Sequence, residues 1–211
     1  MLAMLQARQL ACLRGERRLF RQLDLTVHMG ELWRIVGANG MGKTSLLRQL
    51  CGLRHLDAGD LFWQGQALAH ERDAFHAGLL YLGHAPALNE LLSPLENLHF
   101  ACRAAGDEVS RSACEAALAR MGLSRPMHLP CKLLSQGQRR RVGLARLLLA
   151  SGRPLWVLDE PFTALDAAAV ADLAALLDAH CGAGGAVIFT SHQDVIFQTS
   201  LKLLNVEDFA S

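Results

Sequence analysis

Short apolar runs punctuate the chain at residues 23–27, 32–36, 79–82, 155–158 and 186–190, each bounded by Gly, Pro or polar residues. Their length and flanks are those of buried strands. Helical stretches lie between several of them: residues 45–50 follow the second run, and an Ala-rich segment at 164–179 has apolar residues at helical spacing. Strands alternating with helices predict a wound α/β sheet. From about residue 88 to 150 the strand signals stop. Ser93-Pro94-Leu95-Glu96, Ser110 and the segment from Gln136 read as three helix starts, the last leading into an amphipathic helix over 139–150. This block is a helical insertion, and the sequence shows no internal repeat.

Composition narrows the class. At 211 residues the chain fits one domain with room for a subdomain. Hydrophobic residues reach 51%, yet no apolar run attains the roughly 18–20 residues of a membrane span. The start at residues 1–9 mixes Gln and Arg into apolar residues and does not read as a signal peptide, so cytosolic residence is expected. The six cysteines are dispersed without a Cys-x-x-Cys pair, which argues against a zinc site or a disulfide framework. A formal net charge of +1 provides no field for nucleic acid, although Arg139, Arg140 and Arg141 form a local basic run.

The chemistry is concentrated in three places. Gly37-Ala38-Asn39-Gly40-Met41-Gly42-Lys43-Thr44 matches Gly-x-x-x-x-Gly-Lys-Ser/Thr, directly after an apolar strand and before the helix that opens at Ser45. Glycines let the backbone curl so that its N–H groups converge, and the helix dipole adds positive potential, giving a nest for phosphate oxygens. Lys43 is suited to the β and γ phosphates of ATP and Thr44 to Mg²⁺. The run at 155–158 ends in Asp159 and Glu160, placed for Mg²⁺ binding and for accepting a proton from water. Finally, Leu134-Ser135-Gln136-Gly137-Gln138 forms a second helix start with free N–H groups.

A single nucleotide seldom needs two such helix ends from one chain, and this is where the sequence resembles the ATP-binding-cassette family. Its signature Leu-Ser-Gly-Gly-Gln is matched except at Gln136; Thr163-Ala164-Leu165-Asp166 is similar to the family's D-loop, and His192 to its switch histidine. The resemblance implies an α/β P-loop NTPase fold: a RecA-like core with N-terminal antiparallel β strands and a helical subdomain, the core at residues 1–84 and 151–211 and the subdomain at about 85–150. It also implies a head-to-tail dimer with a second copy, in which Ser135, Gln136, Gly137 and Gln138 face the ATP held by the other chain's loop.

Two positions depart from the common pattern. The run at 79–82 continues through Gly83 to His84, where most cassettes place a glutamine that contacts Mg²⁺ and the attacking water. An imidazole can donate and accept hydrogen bonds in its stead. At the position where an aromatic residue stacks on adenine stands Arg14, whose guanidinium can stack on a base or face solvent as a turn residue. With the segments 63–66, 94–100 and 159–166, these features resemble the haem-exporter ATP-binding subunits of bacterial cytochrome c maturation. That resemblance implies integral-membrane partner subunits and a place on the cytoplasmic face of the inner membrane. Direct haem ligation by this chain is not expected, since no Cys-x-x-Cys-His or Cys-Pro pair occurs. A nucleic-acid or ribosome-associated cassette is a second reading, opposed by the absence of a second cassette and by the near-zero charge. A degenerate cassette that only binds ATP is opposed by the intact Lys43, Asp159, Glu160 and His192.

Overall fold

A computed structural model describes residues 3–150 and 152–210; the first two residues of the amino-terminal segment read above, and position 151 where the second part of the core was expected to begin, lie outside them. The chain forms two sheets and a helical block. β1 (Leu5–Arg14), β2 (Arg17–Val27), β4 (Ala58–Trp63) and β5 (Gln66–Ala67) make an antiparallel sheet in the order β2-β1-β4-β5. β3 (Leu32–Val36), β6 (Leu79–Leu82), β7 (Leu155–Leu158), β8 (Ala186–Thr190) and β9 (Leu201–Asn205) make a parallel sheet in the order β6-β7-β8-β3-β9.

The apolar run at 23–27 belongs to β2, paired with β1 through Leu10↔Leu23 and Leu5↔Val27, and so lies outside the wound sheet. Its alternation of buried and exposed positions fits an antiparallel sheet with one face covered. β7 and β8, by contrast, are buried at every position, as parallel strands covered on both faces must be.

α1 (Lys43–Leu50) and α2 (Arg72–Gly78) precede β4 and β6, and α6 (Ala167–Gly182) covers the other face. Leu46, Leu47 and Leu50 on α1 pack with Phe20, Leu23, Ile35 and Val157, while Leu173 and Leu177 on α6 pack with Trp156, Phe162 and Phe189. Each such fully buried side chain contributes about 1.5–3 kcal/mol. α6 starts at Ala167 rather than at 164, because Asp166 caps it by accepting the Ala169 N–H at 2.8 Å, and Ala164 has φ 63°.

The helical block comprises α3 (Pro94–Ala104), α4 (Arg111–Arg120) and α5 (Gln136–Leu144), and it builds its own cluster from Leu98, Cys102, Cys114, Leu118, Leu123 and Val142. Ser93 and Glu96 form a reciprocal capping box on α3, and Ser110 caps α4. α5 begins at Gln136, the helix start read from the sequence, but the helical span expected to reach 150 ends at Leu144 and tightens into a 3₁₀ turn at Ala145–Leu149, so its last turns follow a different period.

Arg153 fastens the block to the sheet end remote from the phosphate loop. It donates to the carbonyls of His76 (3.0 Å), Leu79 (2.9 Å) and Ala105 (2.6 Å) and pairs with Asp107 at 2.8 Å. Among the described residues no helix is long and apolar enough to cross a membrane.

Candidate functional site

In the parallel sheet, β6, β7, β8 and β3 are adjacent and all point the same way, so their carboxyl ends share one edge. Ligands of open α/β sheets bind at that edge. Each strand delivers one part of the site there: β6 leads to His84, β7 to Asp159 and Glu160, β8 to Thr190 and His192, and β3 to the glycine loop.

Gly42 is the residue before α1 and has φ 102°, a left-handed conformation, while a Cβ on it would lie 3.2 Å from Leu19 and 3.3 Å from Phe20. Both constraints select glycine. The turn aims the loop toward the start of α1, where Lys43 donates from Nζ to the carbonyls of Gly37 (2.6 Å) and Ala38 (3.2 Å). The ammonium therefore arches across the loop.

The acidic pair is held more tightly. Asp159, 2% exposed, accepts at Oδ2 from the Thr44 hydroxyl (2.9 Å) and at Oδ1 from the Thr190 hydroxyl (2.7 Å). Thr190 also accepts the Glu160 N–H at 2.9 Å, and Glu160 has φ 52°, a conformation rare for a residue with a side chain. His192 Nε2 lies 3.4 Å from Glu160 Oε1.

Together these groups border a cavity of about 520 Å³ lined by Arg14, Leu19, Asn39, Gly40, Gly42, Lys43, Thr44, Ser45, His84, Asp159, Glu160, Thr163 and His192. The volume lies within the range of small-molecule sites. Oxygen donors from Thr44 and Asp159 beside a phosphate nest suit a hard cation such as Mg²⁺.

Some of the residues singled out from sequence do not line this cavity. Gly37, Ala38 and Met41 form the back of the loop: the Ala38 N–H is held by Glu207 Oε1 at 2.5 Å, and Met41 Sδ accepts from Arg17 at 3.7 Å. Ser135, Gln136, Gly137, Gln138 and Asp166 lie outside it as well. Ser135 and Gln138 form a capping box (2.9 and 3.2 Å), with Ser135 and Gln136 exposed at the start of α5. Gly137 sits against the segment 163–166, where a Cβ would approach the Ala164 carbonyl to 2.6 Å.

Four residues of this end escaped sequence reasoning. Thr190 was visible only as the polar end of an apolar run, and Arg140 only as the middle of a basic run. Leu19 and Glu207 carry no local signal, since their partners are distant in sequence.

Comparison with known proteins agrees with this geometry. Residues 20–163 match the ABC transporter family. The cytochrome c biogenesis ATP-binding export protein CcmA of Aromatoleum aromaticum is 61% identical over 208 residues, covering 99% of this chain and 97% of the relative. The protein of the same name from Escherichia coli is 48% identical, covering 91% and 90%. Among solved structures, an ATP-binding subunit of an ABC transporter superposes with TM-score 0.77 at 25% identity, covering 90% of this chain and 79% of that one. CbiO1 of Clostridium perfringens shares the fold, with TM-score 0.72 at 22% identity over 93% and 81% of the two chains. With its phosphate loop, acidic pair and signature helix in this arrangement, the chain belongs to the ABC transporter family as an ATP-hydrolysing subunit, in the group of cytochrome c biogenesis ATP-binding export proteins.

Proposed function

We propose that this ATPase powers an export step of cytochrome c biogenesis with haem as the cargo, working as a head-to-tail pair of copies docked on integral-membrane subunits at the cytoplasmic face of the inner membrane. The observation that carries the paired arrangement is the separation of two phosphate-type helix starts in one chain. Lys43 and Gly42 face the cavity, whereas Ser135 and Gln136 are exposed outside it. A second copy turned head to tail brings its Ser135–Gln138 segment over the nucleotide, supplying the wall that one chain lacks.

Within each site the loop amides and Lys43 hold the phosphates, and Thr44 with Asp159 would hold Mg²⁺, which when bound would neutralise charge on the phosphate oxygens. Glu160 accepts the proton of the attacking water, with His192 beside its carboxylate and His84 at the cavity wall orienting the water. Arg14 and Leu19 form the side on which the adenine rests. Nucleotide favours the closed pair because only closure completes its contacts, and hydrolysis removes that preference.

Docking to the membrane subunits uses a second groove of about 480 Å³, between the sheet edge and the helical block, lined by Tyr81, His84, Pro86, Leu88, Leu98 and Ala101. It shares His84 with the catalytic cavity, so an occupant of the groove touches a residue of the reaction site. The test is co-purification of affinity-tagged chain with its membrane subunits. Leu88→Glu and Ala101→Glu release the chain from them while ATP binding is kept; undiminished co-purification contradicts the docking assignment. Loss of haem delivery to periplasmic cytochrome c in the released variants supports the cargo, and unchanged delivery removes it.

A further inference from the structure

Arg140 is a buried cation, 6% exposed, on the second turn of α5. Among the described residues it has no carboxylate within salt-bridge distance. Its guanidinium is turned on backbone carbonyls instead: Nη1 donates to Gly83 (3.0 Å) and His84 (3.1 Å), Nη2 to Asp159 (2.8 Å) and Glu160 (2.6 Å), and Nε to Pro161 (3.4 Å). Every N–H of the fork is used. The carbonyls belong to the ends of β6 and β7, the two segments that place His84 and Glu160 in the cavity.

We infer that Arg140 is the positioning residue that locks the Glu160 and His84 segments to the signature helix, so that contact at the start of α5 is felt at the chain's own catalytic carboxylate. The geometry leaves little slack. Ser135 caps α5 and Arg140 follows within two turns of the same helix, and a helix transmits displacement as a rigid element. Glu160 meanwhile has φ 52°, and a strained conformation persists only when its surroundings over-determine it. Its N–H is held by Thr190 and its carbonyl by Arg140. Gly137 packed on the Ala164 carbonyl adds a second contact between the same two segments.

The coupling half of this inference rests on the paired arrangement proposed above; the positioning half does not. Lysine keeps the charge and most of the stem but has no planar fork, so it cannot hold both strand ends at once. Full-length Arg140→Lys and Arg140→Met chains are assayed for steady-state ATP hydrolysis, and Mg-ATP binding is measured by calorimetry. The expected result is a fall in kcat of about tenfold or more, with KM and the ATP dissociation constant within about twofold of the parent. A merely structural loss moves binding and kcat together. Arg140→Met is at risk of not folding; Arg140→Lys then decides, and a kcat equal to the parent's overturns the inference.

Coupling is read in a Glu160→Gln background by light scattering. Arg140→Lys with Glu160→Gln still pairs on adding Mg-ATP, because the nucleotide contacts are intact, and in the hydrolysing protein it loses the cooperativity of rate on ATP concentration. Unchanged cooperativity removes the coupling half. Failure of the Glu160→Gln parent itself to pair removes the arrangement on which coupling rests, while the kcat result judges positioning alone.

Discussion

Replacing Thr190 by valine tests how the acidic pair Asp159-Glu160 is held. The substitution conserves shape and deletes one oxygen from a fully buried side chain that donates to Asp159 at 2.7 Å and accepts from the Glu160 N–H at 2.9 Å. A hydrogen bond to a charged group contributes about 1.5–3 kcal/mol, and leaving a buried N–H without a partner costs about 1–3 kcal/mol. The two losses share one atom and do not add fully, so a net destabilisation of about 2–4 kcal/mol is expected. For a chain of this size that corresponds to a fall in Tm of about 5–15 °C. Thr190→Ser keeps both bonds and loses only a methyl group, about 1 kcal/mol. Thermal unfolding of the three proteins measures stability, and ATP hydrolysis at saturating nucleotide measures the freedom given to Glu160. Valine should lower both and serine neither by much. A Thr190→Val chain as stable and active as Thr190→Ser would show that the Thr190 hydroxyl does not hold the pair.

Glu160→Gln should bind ATP as the parent does and lose turnover in a phosphate-release assay; normal turnover would take the base role from Glu160. His84→Gln should retain hydrolysis, since a carboxamide also donates and accepts, whereas complete loss would show that the imidazole does more than orient water. Glu207→Ala frees the Ala38 N–H that the carboxylate holds at 2.5 Å and should weaken ATP binding about fivefold in calorimetry, about 1 kcal/mol, with Glu207→Gln nearer the parent. His180 stacks on Trp156 with ring centroids 3.6 Å apart, and its burial holds the imidazole below its ordinary range, opposed by a hydrogen bond to the Pro154 carbonyl. The unfolded chain then binds the proton more readily. Its stability contribution is therefore present above about pH 6.5 and is lost as pH falls from there toward the folded value. Unfolding temperatures of the parent at neutral and mildly acid pH should diverge more than those of His180→Phe.

Legibility from sequence followed the range of each interaction. The loop from Gly37 to Thr44 and the pair Asp159-Glu160 are contiguous, so both motifs stand out in the chain itself. The strands at 155–158 and 186–190 were equally plain, because burial on both faces leaves an unbroken apolar run. β1, β4 and β9 were not: each is partly exposed and mixes polar with apolar positions, and β1 is interrupted by register shifts. The helical spacing of apolar residues extends back to Ala164, yet the Asp166 cap sets the start three residues later, at Ala167. The braces of the site were hidden for a different reason. Thr190 reaches Asp159, Arg140 reaches Gly83 and Glu207 reaches Ala38 only after the strands have been brought side by side.

In the proposed pair each ATP is completed by the Ser135–Gln138 segment of a second copy. Light scattering of the Glu160→Gln chain, with and without Mg-ATP, tests it directly, with a Ser135→Arg version alongside. ATP should double the mass from the 23.0 kDa of one chain, and Ser135→Arg should abolish the doubling. A mass unchanged by ATP, or a doubling indifferent to Ser135, would contradict it.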